Sequence, residues 1–198
     1  MLKKPLFLTA VLLVVLSAVA LRVSSQQNTQ FGMPFYPAWL NSPSNEISVS
    51  QLTRSYSAHN LALELPTWLP SGFTLTSVHV PNVNNPFSFT IVTYSGKGIT
   101  DFRYAEIVFQ IVPGEQPSPT ELSAIRSNSH GSLQLLAVTG IPVLLNPQAV
   151  SSDPAQKQFG PAPYAMFWKD KIYYQLRVYA PLTTDDVLRM IGSLEPAS

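Results

Sequence analysis

Short apolar runs separated by proline and glycine follow one another through most of this chain, and they constrain its fold more than any other feature. Their lengths and their content of β-branched and aromatic residues are typical of strands. Because helices do not alternate regularly with these runs, the pattern predicts an α+β fold built on an antiparallel sheet. The runs are "LALEL" from 61, "FTLTSVHV" from 73, "FSFTIVTY" from 87, "DFRYAEIVFQIV" from 101, "LQLLAVTG" from 133, "IPVLLN" from 141, "YAMFWK" from 164 and "KIYYQLRVY" from 171.

Helices are predicted beside these strands wherever a capping signal occurs. Residues 48–51 have the form of a capping box and begin a helix that ends near Ala58. Residues 118–121 combine a cap, a proline at the first helical position and a reciprocal glutamate. A last helix begins near Thr183, with two aspartates in its first turn that complement the helix dipole. The fold prediction is therefore a sheet with two or three helices.

The N-terminal residues have the form of an export signal. Lys3 and Lys4 precede an apolar run from 6 to 21, and the positive-inside rule keeps such an N-terminus in the cytoplasm. The sequence "AVA" that ends at Ala20 has the form of a signal-peptidase site. As a helix, residues 5–23 would instead span about 28 Å, which is close to the thickness of the hydrocarbon core. We predict a single-pass anchor in the cell membrane with the following domain outside the cytoplasm, and secretion after cleavage following Ala20 is the alternative.

Residues 24–47 are rich in serine, glutamine, asparagine and proline and are interpreted as an irregular arm. Within the arm, "FGMPFYPAWL" crowds aromatic residues among prolines. Three interpretations stay open: the arm packs on its own domain, lies in the membrane interface, or docks a partner protein. On the third interpretation the candidate partner-binding residues are Phe31, Phe35, Tyr36 and Trp39.

Composition excludes several functional classes. Only 12% of the 198 residues are charged, and 12 lysine and arginine residues nearly balance 11 aspartate and glutamate residues. Without a basic patch the chain has no electrostatic footprint for nucleic acid, so no nucleic-acid partner is predicted. The absence of cysteine excludes disulfides, thiolate nucleophiles and cysteine metal sites.

The sequence contains no recognised catalytic, metal or cofactor motif. His59, His79 and His130 stand far apart without a carboxylate at metal-ligand spacing, and surface or capping roles are expected for them. The "GKG" at 96–98 lacks the spacing of a phosphate-binding loop and is interpreted as a turn. We predict no enzymatic activity, no metal and no cofactor.

The last two strand-like runs predict a hairpin with its turn around Asp170. Alternation along the second strand places its aliphatic residues and Tyr174 on a core face. A solvated face is the favoured interpretation of the opposite, polar side, and a recognition surface rich in tyrosine and arginine is the alternative. The polar side carries Tyr173, Gln175, Arg177 and Tyr179, of which Tyr173, Arg177 and Tyr179 are the candidate partner-binding residues.

A Pro-x-x-Leu-Pro-x-Gly-Phe motif is formed by Pro66, Leu69, Pro70, Gly72 and Phe73. With the motifs that follow it along residues 48–195, it resembles the extracytoplasmic domain of unknown function found in anti-sigma factors and related membrane-anchored proteins. Further matches are a Tyr-Ser-Gly turn at 94–96, a Val-Thr-Gly hairpin at 138–140, a tryptophan strand followed by a Tyr-x-Leu strand, and the closing helix "TTDDVLRMIGSL". The resemblance implies a curved antiparallel sheet with helices on one side, similar to the lipoprotein carriers, and no catalytic residues.

These observations together predict a signal anchor or signal peptide at 1–23, the arm at 24–47 and an extracytoplasmic α+β domain at 48–198. The chain departs from anti-sigma factors because only residues 1–4 precede the apolar run, which leaves no room there for a sigma-binding domain. The predicted function is a non-enzymatic binding domain anchored by residues 5–23, an accessory subunit that contacts other subunits of a membrane complex. The alternative is a carrier or sensor of an apolar ligand such as lipid or lipoprotein.

Overall fold

The computed structural model describes residues 45–129, 131–150 and 160–197, the side chain of Phe87 excepted. Over these residues the chain is an α+β fold with three helices and a large antiparallel sheet that does not close on itself. The helices are α1 (Val49–Ser57), α2 (Pro119–Asn128) and α3 (Thr184–Gly192), with a short 3-10 helix at Pro86–Ser88. The strands are β1 (Asn45–Glu46), β2 (Glu64–Pro66), β3 (Thr74–Val80), β4 (Thr90–Ser95), β5 (Ile107–Pro113), β6 (Gln134–Val138), β7 (Ile141–Ala149), β8 (Ala162–Lys169), β9 (Ile172–Val178) and β10 (Leu194–Pro196).

Eight strands form the main sheet, in the order β1-β3-β4-β5-β9-β8-β7-β6. Every neighbouring pair in it is antiparallel. Strands β2 and β10 make a separate two-stranded antiparallel sheet. The predicted antiparallel α+β class is confirmed, and β1 and β6 are the two edges of the main sheet.

The two capping boxes predicted at 48–51 and 118–121 are present, and a third box, which was not predicted, precedes the last helix. The Gln51 amide donates to Oγ of Ser48 (3.2 Å), and the Ser48 amide donates to the Gln51 side chain (2.8 Å). The same reciprocal bonds join Ser118 to Glu121 before α2, and Thr183 to Asp186 before α3. Each box satisfies backbone donors that have no partner within the first turn of a helix, which is why the helix starts were predictable from sequence.

Helices α1 and α3 pack on one face of the main sheet, called here the first face, and build the larger core. The predicted core side of β9 lies on this face, and its four alternating side chains are fully buried. Phe167 of β8 stacks on Tyr174 of β9 with ring centres 4.9 Å apart and planes 3° apart. The large buried side chains of this core include Leu52, Tyr56, Phe109, Phe167, Ile172, Tyr174, Leu176, Val187 and Met190.

Helix α2 lies on the opposite face, called here the second face. Its Leu122 and Ile125 pack against Leu144, Met166 and Trp168, whose side chains alternate with those of the first face. The expectation of helices on one side only is therefore wrong. The physical reason is that β7 and β8 also carry apolar side chains on the second face, and these side chains require cover from another layer.

The small sheet is joined to the main sheet by a charged pair and a hydrogen bond. The buried carboxylate of Glu64 in β2 forms an ion pair with the partly exposed Lys169 at the end of β8. The Glu64 backbone amide donates to Oη of Tyr174 (3.2 Å). Because a buried carboxylate is costly without its partner, removal of the Lys169 charge is expected to destabilise this junction.

Two element boundaries differ from the sequence prediction. The strand expected from 101 begins only at Ile107, because Asp101 caps a turn by accepting hydrogen bonds from the amide and the guanidinium of Arg103. The arm was expected to reach residue 47, but Asn45–Glu46 pair with β3 as strand β1. The last residues of the arm therefore belong to the sheet.

The turn between β8 and β9 makes a testable prediction about stability. Asp170 and Lys171 have φ angles of 50° and 63°, which is the type I′ geometry that favours glycine at its second position. At the matching position of the β6–β7 turn the chain has Gly140, with φ of 84°. We expect Lys171→Gly to raise the free energy of unfolding by about 0.5 kcal/mol, and Gly140→Ala to lower it by about 1 kcal/mol. Urea titration of both variants measures the two changes, and a destabilised Lys171→Gly would contradict the expectation.

Candidate functional site

The second face carries polar side chains that are almost fully buried. Gln110, Gln175 and Arg177 are only 4%, 6% and 5% exposed. The predicted solvated face is therefore wrong for β9. The reason is that α2 covers one end of this face and the loop that carries Phe102 lies against the other.

Tyr164, Tyr173 and Gln175 form a hydrogen-bonded group on this face. The amide of Gln175 donates to Oη of Tyr173 (2.7 Å), and the Tyr164 and Tyr173 hydroxyls are hydrogen-bonded to each other. The ring of Tyr173 stacks on Trp168 with centres 4.7 Å apart. Burial raises the pKa of Tyr173 to about 12 and raises the pKa of Tyr164 well above its ordinary value. Both phenols are therefore neutral at physiological pH and serve as hydrogen-bonding groups rather than as bases.

Arg177 lies in the same face, next to Tyr179. Its guanidinium carbon is 4.1 Å from the centre of the Tyr179 ring, a cation–π contact. Its Nη2 donates to the carbonyl oxygen of Phe102 (3.3 Å). Arg177 and Tyr179 are 5% and 3% exposed, so both side chains make their contacts inside the domain.

Two buried acceptors complete the polar part of the second face. Oε1 of Gln110 and Oε2 of Glu106 are buried and have no hydrogen-bond partner among the described residues. The other carboxylate oxygen of Glu106 lies 3.9 Å from Nζ of the exposed Lys97. An unpaired buried acceptor costs free energy, so these atoms mark a locally unfavourable arrangement in the sheet.

A groove opens where helix α2 runs beside the edge strand β6. Its volume is about 620 Å³, and its lining includes Arg126 of α2 and Leu133 and Leu135 at the sheet edge. None of the five residues of β6 is buried. Together the edge strand and the groove form a concave surface, which we call the β6 groove. It combines the unpaired backbone edge of β6 with apolar side chains and the guanidinium of Arg126.

The sequence-predicted site residues are divided between the described part of the chain and the rest. Tyr173, Arg177 and Tyr179 lie on the second face, as alternation predicted. Arg177 and Tyr179 are in contact, whereas Tyr173 stacks on Trp168. Phe31, Phe35, Tyr36 and Trp39 lie outside the described residues. The sequence analysis did not single out the β6 groove, because the uncharged sequence of β6 does not differ from that of an interior strand.

The histidines with described positions serve structural contacts. Nδ1 of His59 lies 2.8 Å from the carbonyl oxygen of Ser55 at the end of α1, a capping position. Nε2 of His79 lies 2.9 Å from the carbonyl oxygen of Thr100, and its ring meets Phe102 edge to face. His130 lies outside the described residues. Within the described ranges, histidine and carboxylate side chains form no group that could hold a metal ion.

The geometry defines the class of this chain as an α+β protein with an open eight-stranded antiparallel sheet. Compared with protein families, curated proteins and solved structures, the chain has no match. The resemblance to the anti-sigma extracytoplasmic domain therefore stays a prediction that depends on the motifs. In the part of the chain that the structure describes, no helix has the length and hydropathy needed to cross a bilayer.

Proposed function

We propose that this protein is a non-enzymatic binding domain outside the cytoplasm, held at the membrane by residues 5–23, where it acts as an accessory subunit of a membrane complex. The single observation that carries the proposal is the β6 groove. An edge strand exposes backbone donors and acceptors to any extended chain, and the neighbouring groove offers space for side chains. Such a surface is suited to binding a polypeptide.

Export and anchoring are supported by the sequence of the leader. The lysines before the apolar run orient it with the N-terminus inside, and its length suits a membrane-spanning helix. The proposal includes a curved sheet like that of the lipoprotein carriers. Its support is a pair of register shifts, at Leu75/Ser77 and at Asn146/Ala149, because bulges of this kind bend a sheet.

The non-enzymatic part of the proposal is supported by how the polar side chains of the second face are used. Tyr173 accepts from Gln175 and stacks on Trp168, while Arg177 contacts Tyr179 and Phe102. Each of these groups stabilises the fold through a neighbour within the sheet or its loops. A surface open to a partner is found instead at the β6 groove.

The carrier function, the alternative from sequence, draws less support from the structure. The first face of the sheet is covered by side chains of α1 and α3, so an acyl chain has no place on that face while the two helices are packed there. A second surface groove of about 480 Å³, beside α1, has a mixed lining in which Gln51 and Arg54 lie next to Ile47 and Val83. Neither observation favours an apolar ligand.

Capture of partners from native membranes tests the proposed function. The tagged full chain is expressed in its own host, extracted in mild detergent and recovered with whatever remains bound to it. We expect one or a few membrane proteins in stoichiometric amounts, and mass spectrometry of the chain should detect residues 1–20. A monomeric chain without partners and without those residues would contradict the proposal.

The aromatic arm makes a second prediction within this experiment. Replacement of Phe35, Tyr36 and Trp39 by serine should weaken association on the order of tenfold or more, because each aromatic brings about 150–250 Å² of buried surface. The melting temperature of the domain should stay the same. If the melting temperature falls sharply while the bound partners are unchanged, the arm is part of the core and does not dock.

A further inference from the structure

The hydrogen-bond register of the β6–β7 hairpin shows which backbone groups face outward. The turn has two residues, Thr139 and Gly140, so Val138 and Ile141 next to it form a hydrogen-bonded pair. Alternation makes Leu136 and Gln134 hydrogen-bonded to β7 as well. The amide and carbonyl groups of Leu135 and Ala137 therefore point away from β7.

The proline on β7 agrees with this register. Pro142 lies opposite Ala137 and has no amide hydrogen, so it is suited to a position where the paired strands exchange no hydrogen bond. Among the described residues no strand lies beyond β6. Two donors and two acceptors, those of Leu135 and Ala137, are thus arranged along an edge with the spacing of a β-ladder.

Strand β6 lacks the features with which proteins usually protect an edge. Its sequence, Gln-Leu-Leu-Ala-Val, contains no lysine, other charge or proline, and its pairing with β7 has no register shift. The opposite edge differs, since β1 has only two residues and one of them is Glu46. The unprotected edge is therefore specific to the side of the sheet that borders the β6 groove.

The groove also has a positive charge that forms no ion pair with an acidic side chain among the described residues. Arg126 is exposed in the lining, and the ion pairs within the described ranges join other residues. An arginine in such a position attracts a carboxylate from a bound chain, with the geometry of a forked donor. A second copy of β6 cannot supply that carboxylate, because residues 129–140 contain no aspartate or glutamate.

We propose that β6 accepts an extended segment of a different polypeptide, which adds a ninth strand to the main sheet and places an acidic side chain against Arg126. The inference rests on the proposed binding function and names its partner by chemistry. Backbone bonds to Leu135 and Ala137 supply affinity for any extended chain, and the acidic contact with Arg126 selects among such chains.

The test uses the full chain in detergent micelles and short random peptides displayed on phage. Selected peptides should be poor in proline and contain an acidic residue. Hydrogen exchange measured with a synthetic copy of a selected peptide should slow by about tenfold or more at the amides of Leu135 and Ala137, and stay the same at Leu136. This readout needs no variant, so a loss of folding cannot obscure it.

Three variants complete the test, and Ala137→Val is the matched control for Ala137→Pro. Ala137→Pro removes an outward amide while leaving the bonds to β7 in place, and should reduce peptide affinity on the order of tenfold or more. Ala137→Val keeps that amide and should bind like the unmodified chain. Arg126→Gln should reduce affinity for acidic peptides by about fivefold to tenfold, and have no effect on peptides in which the acidic residue is replaced by glutamine.

Several results would overturn the proposal. These are the absence of any selected peptide, binding that Ala137→Pro does not change, or protection located away from β6. A dimer of the full chain that Ala137→Pro dissociates would assign the edge to a second copy instead. Capture from native membranes separates this failure from that of the proposed function: equal capture by the unmodified chain and Ala137→Pro keeps the binding function and excludes β6 as its site.

Discussion

Raising the pH from 10 to 12 should unfold this protein cooperatively. Burial raises the pKa of a set of tyrosines above the ordinary value of about 10, because the phenolate form loses its hydration inside the sheet. In the folded chain these phenols stay protonated over the window in which the unfolded chain loses the same protons. The tyrosines concerned are Tyr56, Tyr94, Tyr164, Tyr173 and Tyr174.

The direction of the effect follows from proton linkage. Between pH 10 and 12 the folded state binds more protons than the unfolded state, so the free energy of unfolding falls as the pH rises. The slope that each tyrosine contributes rises from about half of 1.4 kcal/mol per pH unit at pH 10 towards about 1.4 kcal/mol per pH unit at higher pH. At pH 11 the loss from all of them is on the order of 5 kcal/mol, which is comparable to the whole stability of a small domain. Tyrosinate absorbance and near-ultraviolet circular dichroism, followed together, should change in one transition.

Tyr94→Phe provides a matched control for this prediction. The Tyr94 hydroxyl is buried and has no hydrogen-bond partner among the described residues, so phenylalanine keeps the ring and removes only the titrating group. At pH 7 the variant should be as stable as the unmodified chain or more stable, by up to about 1 kcal/mol. At pH 11 its advantage should grow by about 1 kcal/mol more. Tyrosines that titrate one by one while the fold persists would contradict the expected result.

Replacement of Phe167 by alanine should be among the most damaging single changes to the core. The side chain is fully buried in the first face and stacks on Tyr174, which in turn holds β2 through the Glu64 amide. Loss of the ring leaves a cavity and removes the aromatic contact. We expect a loss of about 3–5 kcal/mol in the free energy of unfolding, measured by urea titration at neutral pH.

Two comparison variants show whether this loss comes from packing. Phe167→Leu keeps most of the volume and should cost less than half as much as Phe167→Ala, or about 1–1.5 kcal/mol. Leu75→Ala changes a side chain that is 37% exposed and should cost about 0.5 kcal/mol or less. Equal losses for the alanine and leucine variants at 167 would show that the site relaxes around a small side chain, against the close packing described above.

The helix starts and the last hairpin were predictable because their determinants are local. A serine or threonine three residues before a glutamine, glutamate or aspartate satisfies free amides whatever the rest of the chain does. Ser48, Ser118 and Thr183 are the capping residues before α1, α2 and α3, and the three helices start where the sequence predicted them. The alternation of β9 likewise follows from strand geometry, so its core side was correctly assigned. The start of β5 was predicted too early in the chain. The residue pattern favours a strand from 101, but the side chain of Asp101 stabilises a turn there instead.

The polar side of β9 shows where a pattern stops being informative. Tyr173, Gln175 and Arg177 have the composition of a solvated face, yet the last two are almost fully buried. Whether a polar face meets water depends on what packs over it, and here Phe102 and α2 come from distant parts of the sequence. Alternation along a strand contains no information about those neighbours.

The sequence by itself determined the α+β class, the three helix starts, the first-face core of β9 and the hairpin around Asp170, since each depends on residues close together in the chain. Only the tertiary structure decided the strand order, and with it which strand forms the edge. Strand β6 resembles its interior neighbours in sequence. It is open because β7 pairs with β8 on one side and with β6 on the other, and no described strand pairs with the free side of β6. Edge and interior strands satisfy the same local pattern, so the open edge at β6 follows from long-range pairing alone.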